Sequence, residues 1–204
     1  MNLKMLFVIL LSGVLPLYAQ EETLLGDGEI AHGGYGGPEV KFTNINNQLG
    51  ILVGGRGGWI INHTIVLGGA GYGLANAVDA KVMGPLAEPY LAFGYGGFTL
   101  EWIIKSDKLV HFSVNALFGG GGAGFRQDLD NDNSEDRDDA CLVIEPGATV
   151  ELNVTNFMRA SFGASYRYVN GIESRYVDGV KYDATSDESL SGPTVSILLR
   201  FGKF

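Results

Sequence analysis

Polar and apolar residues alternate with a period of two along much of the chain after residue 33. From 157 to 169 the even positions carry apolar and aromatic side chains, whereas the odd positions carry small, polar or basic ones. Related segments are found at 34–44, 110–118, 141–154 and 194–201, and glycine dilutes the pattern at 49–61, 65–76 and 90–104. A period of two is the pattern of a β-strand with two different faces. The sequence therefore predicts about eight strands.

The segments that link these strands differ in length in a regular way. After a first link at 45–48, tight turns at 62–64, 105–109 and 155–156 alternate with longer segments at 77–89, 126–140 and 171–191. Strands that run up and down in sequence order place alternate links at opposite ends of a sheet. We therefore expect an all-β, antiparallel, up-and-down barrel with short turns at one end and three long loops at the other.

The first 19 residues have the three parts of a secretory signal peptide. Lys4 lies in a short polar start, an apolar run extends from Met5 to Leu17, and Ala19 is the small residue before the expected cleavage site. The apolar run is shorter than the roughly 20 residues of a transmembrane helix. The sequence predicts a signal peptide at 1–19, a lead segment at 20–33 and the barrel at 34–204.

Composition narrows the class of protein further. Glycine supplies 31 of the 204 residues, about twice the usual share of roughly 7%, which suits a tightly curved sheet. The formal net charge of -9 argues against nucleic acid as a partner. No apolar segment of about 20 residues follows the signal peptide, so insertion into a membrane would have to be by strands. The single Cys141 cannot form an internal disulfide.

Nine charged residues fall on the polar faces of the predicted strands and would point into a barrel. They are four acids and five bases: Glu39, Lys41, Arg56, Glu101, Glu145, Glu151, Arg159, Arg167 and Arg200. The interior of an eight-stranded barrel is narrow enough to be filled by side chains, and buried charges are tolerated there when they are paired. The near balance of charge predicts a salt-bridged plug rather than a conducting pore.

The apolar faces would then contact lipid. Trp59 and Trp102 each precede a predicted short turn, and Tyr90 and Tyr168 lie near predicted long loops. Tryptophan and tyrosine favour the membrane interface. We expect these four residues to form the girdles of a transmembrane barrel in the bacterial outer membrane. Such a barrel would be a monomer, with membrane lipid and lipopolysaccharide as its partners.

The signal peptide, the eight alternating segments, the alternating link lengths and the C-terminal segment resemble those of the small eight-stranded outer-membrane barrels. This porin-like superfamily includes the transmembrane domain of outer-membrane protein A. The resemblance implies that the barrel-assembly machinery reads an aromatic residue in the C-terminal segment, which is Ser196-Ile-Leu-Leu-Arg-Phe-Gly-Lys-Phe204. Phe204 takes that place but has the opposite parity from Phe201. Either Gly202 forms a bulge or Phe201 is the effective signal.

An acidic segment dominates the predicted loop at 126–140. Five of its acids match positions 1, 3, 5, 9 and 12 of a calcium-binding loop, namely Asp128, Asp130, Asp132, Asp136 and Asp139. Asn133 stands where such loops have glycine, and an aspartate stands in place of the final glutamate. The alternative is a solvated acidic surface loop. Calcium is the one cofactor that the sequence suggests.

Two other functions stay open at this point. His111 and Ser113 share a strand face and resemble the His-x-Ser pair of outer-membrane lipid A deacylases, although Val114 stands where that family has asparagine. The pair would point into the lumen, which favours a packing role over catalysis. The second alternative is a soluble, periplasmic, lipocalin-like binding barrel with its apolar faces inside, because parity alone does not say which face meets water. We expect a non-enzymatic scaffold that displays external loops.

Overall fold

The structure is a computed structural model that describes residues 30–79, 90–126, 139–172, 175–177, 180–182 and 186–204. Contacts divide the chain into two units, Met1–Ile30 and Ala31–Phe204, and all the described elements belong to the second. The predicted signal peptide and most of the predicted lead segment lie outside the described residues. Within the described part, no helix has the length and apolar character needed to cross a membrane.

Eight strands of the second unit close into an antiparallel barrel, as predicted. The elements in chain order are β1 (His32–Ile45), β2 (Gln48–Ile61), β3 (Ile65–Leu74), β4 (Tyr90–Ile104), β5 (Val110–Arg126), β6 (Asp139–Asn153), β7 (Met158–Asn170), β8 (Arg175–Val177), β9 (Val180–Tyr182), α1 (Asp187–Leu190) and β10 (Gly192–Lys203). The order around the barrel is β1-β10-β7-β6-β5-β4-β3-β2. Neighbours in sequence are neighbours in space, and β8 and β9 form a separate hairpin.

The register fixes the dimensions of the barrel. Paired residues followed once around the wall lead from Phe42 back to His32 on the same strand, a displacement of ten residues. Strands with this stagger are tilted by roughly 40° to the barrel axis, and eight of them leave an interior that side chains fill.

The two ends of the barrel differ. The short-turn end carries the links 62–64, 105–109 and 154–157 together with the start of β1 and the end of β10. The long-loop end carries the segments 75–89, 127–138 and 171–191 and the tight β1–β2 turn. Asn46 and Asn47 in that turn have φ of 53° and 63°. Consecutive left-handed residues of this kind suit a two-residue hairpin, and asparagine accepts that conformation readily.

Two strands are longer than the alternation predicts. β1 begins at His32 rather than 34, because His32 pairs with Ile61 of β2. β5 runs past Phe118 to Arg126, because its glycines at 119–122 pair with β4 on one side and β6 on the other. Glycine has no side chain, so a run of glycines shows no alternation of polar and apolar residues. The strand therefore continues beyond the residue at which the alternation ends.

β3 is shorter than predicted and ends at Leu74. Asn76 is predicted to lie in this strand, but instead its side chain hydrogen-bonds to the backbone of the neighbouring strand β2. Its Oδ1 accepts a hydrogen bond from the Ile51 backbone N–H at 2.7 Å, and its Nδ2 donates to the Leu49 carbonyl at 2.7 Å. The amide thus satisfies backbone groups that a longer β3 would have paired.

Two apolar clusters lie inside the barrel, one at each end. The long-loop cluster contains Ile45, Leu52, Tyr72, Val78, Leu91, Phe93, Tyr95, Leu117, Ala123, Cys141, Val143, Val169 and Leu190. The short-turn cluster contains Tyr35, Ile60, Val66, Ile103 and Leu198, with Phe204 packed against it. Between these clusters the lumen is polar.

The outward faces form a continuous apolar belt. Phe112, Phe162 and Ile197, on β5, β7 and β10, are 57%, 56% and 43% exposed. Among the outward positions whose side chains the structure describes, only the strand-terminal Lys203 carries a Lys, Arg, Asp or Glu. This arrangement is the reverse of the lipocalin-like alternative, which requires the apolar faces inside.

Candidate functional site: the charged lumen

The structure places all nine charged residues assigned to the lumen inside the barrel, where none is more than 7% exposed. They point inward because they occupy odd positions on β1, β4, β6 and β7 and even positions on β2 and β10, which are the buried parities of those strands. Eight of the nine are joined in two networks. The upper network lies towards the long-loop end, and the lower network lies towards the short-turn end.

Glu145 is the centre of the upper network. One of its carboxylate oxygens accepts hydrogen bonds from Lys41 Nζ at 2.8 Å and from Ser165 Oγ at 2.6 Å, and the other accepts from the Tyr95 hydroxyl at 2.6 Å. The Lys41 ammonium also lies 3.7 Å from the centre of the Tyr72 ring, a cation–π distance. The buried pair therefore has the additional hydrogen bonds that a desolvated salt bridge requires.

Glu39 and Arg56 complete the upper network. Oε2 of Glu39 accepts a hydrogen bond from the Tyr72 hydroxyl at 2.6 Å and lies 3.5 Å from Arg56 Nε. The same guanidinium donates from Nη2 to Asn115 Oδ1 at 3.4 Å. A second acid and a second base are thus held next to the first pair.

The lower network is organised around Arg200. Its Nη1 donates to Glu101 Oε1 at 2.8 Å, and its Nη2 lies 3.1 Å from Glu151 Oε1. The Tyr35 hydroxyl donates to the second oxygen of Glu101 at 3.1 Å, and Arg159 Nη1 lies 3.8 Å from Glu151 Oε2. Two acids and two arginines therefore neutralise each other at this level of the lumen.

Arg167 is the ninth charge, and it is fully buried without a salt bridge to any residue in the described ranges. Its Nε donates to the Leu190 carbonyl at 2.8 Å, and its Nη2 donates to Thr43 Oγ1 at 3.4 Å. The guanidinium also lies 5.4 Å from the centre of the Phe93 ring. This cation is stabilised by the end of helix α1, a hydroxyl and an aromatic face.

Sequence reasoning missed α1 and the lumen tyrosines. Helix α1 has one turn, too short for a periodic signal, although its Leu190 is a lone apolar residue in a polar segment. Tyr35, Tyr72 and Tyr95 occupy inward positions in the glycine-rich strands β1, β3 and β4. Their parity could have placed them in the lumen, but the glycines around them obscured the pattern.

His111 also belongs to the lower network. Its Nε2 lies 3.2 Å from Glu151 Oε2 and 3.4 Å from Arg159 Nη1, while its Nδ1 lies 3.2 Å from the Lys108 carbonyl. No hydrogen bond joins the described side chains of His111 and Ser113, and each residue is 1% exposed. The histidine thus contacts an acid and a base of the lower network.

The four proposed girdle residues lie on the outward side of the wall. Trp59 and Trp102 are 48% and 53% exposed, and Tyr168 is 56% exposed. Tyr90 begins β4 on the outward parity and is partly exposed. The Trp59 ring stacks on His32, with 5.5 Å between ring centres.

The C-terminal aromatic residues point to opposite sides of the wall. Phe201 faces outward and is 42% exposed, whereas Phe204 lies at the mouth of the lumen. The Phe204 ring lies 6.4 Å from the centre of the Tyr35 ring and 4.0 Å from the Arg159 guanidinium. Pairing between β10 and β1 continues in one register through Gly202, so the bulge alternative is wrong. Phe201 is the last aromatic residue on the outward face.

The proposed calcium ligands Asp128, Asp130, Asp132 and Asp136 lie outside the described residues. Asp139 does not lie in the loop as predicted but begins β6, where it pairs with Ala123 of β5. This pairing follows from the extension of β5 described above. Calcium binding by this segment stays a prediction.

Exposed charges at the short-turn end contrast with the buried ones. Lys108 Nζ lies 2.9 Å from Asp107 Oδ2 in the β4–β5 turn, and both side chains are largely exposed. The hydrogen bond from Lys108 lowers the pKa of the Asp107 carboxyl from its usual value. Exposed pairs of this kind contribute little to stability.

A closed eight-stranded antiparallel barrel with a charged interior and an apolar exterior has the architecture of the small outer-membrane barrels. No family model and no curated protein matches the chain. Among solved structures, Neisserial surface protein A has a TM-score of 0.56 at 14% identity, over 87% of this chain and 100% of that one. This similarity shows a shared fold.

Two further solved structures match with lower scores. The N-terminal β-barrel domain of Pseudomonas aeruginosa OprF has a TM-score of 0.45 at 12% identity, over 82% of this chain and 96% of that one. The attachment invasion locus protein Ail of Yersinia pestis, in complex with the heparin analogue sucrose octasulfate, has a TM-score of 0.44 at 12% identity, over 84% of this chain and 97% of that one.

Proposed function

We propose that this protein is an integral barrel of the bacterial outer membrane, with a plugged lumen, that acts as a rigid scaffold for its long loops. The observation that carries the proposal is the reversed polarity of the wall, with charged residues inside and an apolar belt outside. In water, exposing a belt of this size would be unfavourable, whereas in a bilayer it is the required exterior.

The plug is supported by contacts along the whole lumen. Four acids and four bases are paired in the upper and lower networks. Val78 and Leu190 are fully buried at the long-loop end, and Phe204 packs against the apolar cluster at the short-turn end. A barrel filled in this way would leave no open path for solutes through its described part, so its function would lie at its surfaces.

The long-loop end is the surface that would carry binding. Loops held on a rigid scaffold are where recognition concentrates, and three of the four connections at this end are long. Its partners would be lipopolysaccharide, membrane lipid and molecules of neighbouring or host surfaces.

Alkaline extraction tests the membrane location. Membranes from a Gram-negative host that exports the full chain are washed with sodium carbonate, and a soluble periplasmic protein serves as the control. We expect the barrel to stay in the pellet while the control is released. Release of the barrel into the soluble fraction would overturn the proposal.

The non-enzymatic part of the proposal has its own test. The buried His111 contacts Glu151 and Arg159, so the substitution His111→Ala should leave the acylation of surface lipid A unchanged when the protein is expressed. A change in acylation that requires His111 would favour the lipid A-modifying alternative.

A further inference from the structure

One ring nitrogen of His111 lies between an acid and a base. Its Nε2 lies 3.2 Å from Glu151 Oε2, a hydrogen-bond acceptor, and 3.4 Å from Arg159 Nη1, a hydrogen-bond donor. The other ring nitrogen, Nδ1, lies 3.2 Å from the Lys108 carbonyl oxygen, which only accepts hydrogen bonds. Nδ1 therefore carries a proton whether the ring is neutral or charged, and the proton that comes and goes is the one on Nε2.

The two charge states of this ring suit different partners. A neutral ring has a lone pair at Nε2, which accepts a hydrogen bond from the Arg159 guanidinium. A protonated ring has an N–H group at Nε2, which donates to the Glu151 carboxylate and makes the ring a cation that repels the guanidinium. A single proton therefore exchanges one contact of the histidine for the other.

The charged groups around His111 are balanced while the ring is neutral. The titratable side chains that face it from the surrounding strands are Tyr35 of β1, Glu101 of β4, Glu151 of β6, Arg159 of β7 and Arg200 of β10. Asp107 and Lys108 in the adjoining turn have largely exposed side chains. Two carboxylates thus face two guanidinium groups, and protonation of the ring adds a third cation to a desolvated site.

Arg159 is the cation of this network that is free to respond. Two carboxylates hold Arg200, at 2.8 Å and 3.1 Å, whereas Arg159 lies 3.8 Å from Glu151 Oε2. The Arg159 side chain is 8% exposed, against at most 2% for the other charged side chains of the lower network. Its guanidinium lies 4.0 Å from the centre of the Phe204 ring at the mouth of the lumen. Repulsion would therefore move it towards that mouth and against Phe204.

We propose that His111 is a proton-operated switch that sets the position of the Arg159 guanidinium, and through it of the Phe204 ring, at the short-turn end of the lumen. With the ring neutral, the guanidinium is hydrogen-bonded inside the lower network. Uptake of one proton from solvent at Nε2 turns the ring to Glu151 and displaces the guanidinium outward. The switch goes beyond the scaffold function and does not depend on the membrane location, so release in the carbonate extraction would leave it standing.

A pH titration of the folded, isotope-labelled protein in detergent micelles tests the switch by nuclear magnetic resonance. Between about pH 4 and 9, a range that brackets ordinary histidine titration, the Arg159 side-chain and Phe204 amide resonances should shift in step with protonation of His111. His111→Gln should remove these shifts. The control His63→Gln, which replaces an exposed histidine in the β2–β3 turn, should leave them unchanged. Shifts that persist in His111→Gln, or a His111 ring that never changes its charge or does so without a response at Phe204, would overturn the switch.

The tautomer of the neutral ring gives a second test that needs no variant. Because Nδ1 faces the Lys108 carbonyl, the ring-nitrogen chemical shifts of His111 at the alkaline end should report a proton on Nδ1 and none on Nε2. The exposed His32 and His63 serve as references in the same spectrum. A neutral His111 with its proton on Nε2 has no lone pair to offer Arg159, and that result would also overturn the switch.

Discussion

Glu145 shows how a single inward position can hold a network. Its carboxylate accepts hydrogen bonds from Lys41, Tyr95 and Ser165, which lie on three other strands. Strand parity was enough to place Glu145 and Lys41 in the lumen from the sequence. Strand parity could not show that these two side chains form a pair, because the residues are 104 positions apart in the sequence. They lie side by side only because the barrel closes with a stagger of ten residues.

The negative charge of Glu145 is expected to be essential for the stability of the folded protein, because Lys41 is buried beside it. Glu145→Gln should lower the free energy of unfolding by about 3 kcal/mol, because the ammonium loses its counter-charge in a desolvated site. Adding Lys41→Met should restore part of that loss. Urea unfolding in lipid vesicles, monitored by tryptophan emission, is measured for the unmodified protein, Glu145→Gln, Lys41→Met and the double variant. These four proteins form a double-mutant cycle. Strictly additive effects would show that the two charges are not coupled.

Phe204 and Phe201 offer a matched comparison at the C-terminus. Phe204→Ala should lower the unfolding free energy by about 2 kcal/mol, because the ring packs on Tyr35 and the Arg159 guanidinium. Phe201→Ala should have a smaller effect on the folded protein, since its ring faces outward. Thermal unfolding of the two variants measures the difference, and the reverse order would contradict the placement of Phe204 in the lumen. The sequence shows that Phe204 has the opposite parity from Phe201. Only the strand register shows that Phe204 therefore lies at the lumen.

At the scale of elements, strand alternation was a reliable guide where side chains alternate and failed where glycine removes them. β7 and β10 begin and end within a few residues of the prediction. On β5 the alternation stops at Phe118, eight residues before the strand ends, because the glycines at 119–122 carry no polarity signal; the predicted link at 126–140 nevertheless placed the end of the strand within about one residue. The long loops were identified by their length, but α1 and the β8–β9 hairpin within one of them are too short for periodicity to detect.

The glycines of the barrel wall differ in whether they leave room for a Cβ atom. A Cβ at Gly119 would overlap the Gly96 carbonyl oxygen on β4, whereas a Cβ at Gly73 would meet nothing within 4 Å. Gly119→Ala should therefore lower the unfolding free energy by about 1–3 kcal/mol through forced backbone shifts. Gly73→Ala should change it by less than about 0.5 kcal/mol. Urea midpoints compare the two, and equal effects would show that β4 and β5 do not approach this closely at Gly119.

For the whole molecule, the proposed plug makes a prediction about transport. The salt-bridged networks and the apolar clusters occupy the lumen from one end of the barrel to the other. Purified protein inserted into a planar lipid bilayer should therefore show no stable conductance steps of the kind that wide porins give. Sustained open-channel steps at low voltage would contradict the plugged lumen.

The central claim is that the apolar belt faces lipid, and the two tryptophans test it directly. Trp59 and Trp102 are the only tryptophans of the chain, and both face outward. The protein is folded into vesicles whose acyl chains carry bromine, a short-range quencher, and its emission is compared with that in unbrominated vesicles. The account predicts strong quenching of the folded barrel by the brominated chains. Equal emission in the two kinds of vesicle, from protein shown by circular dichroism to be folded, would contradict it.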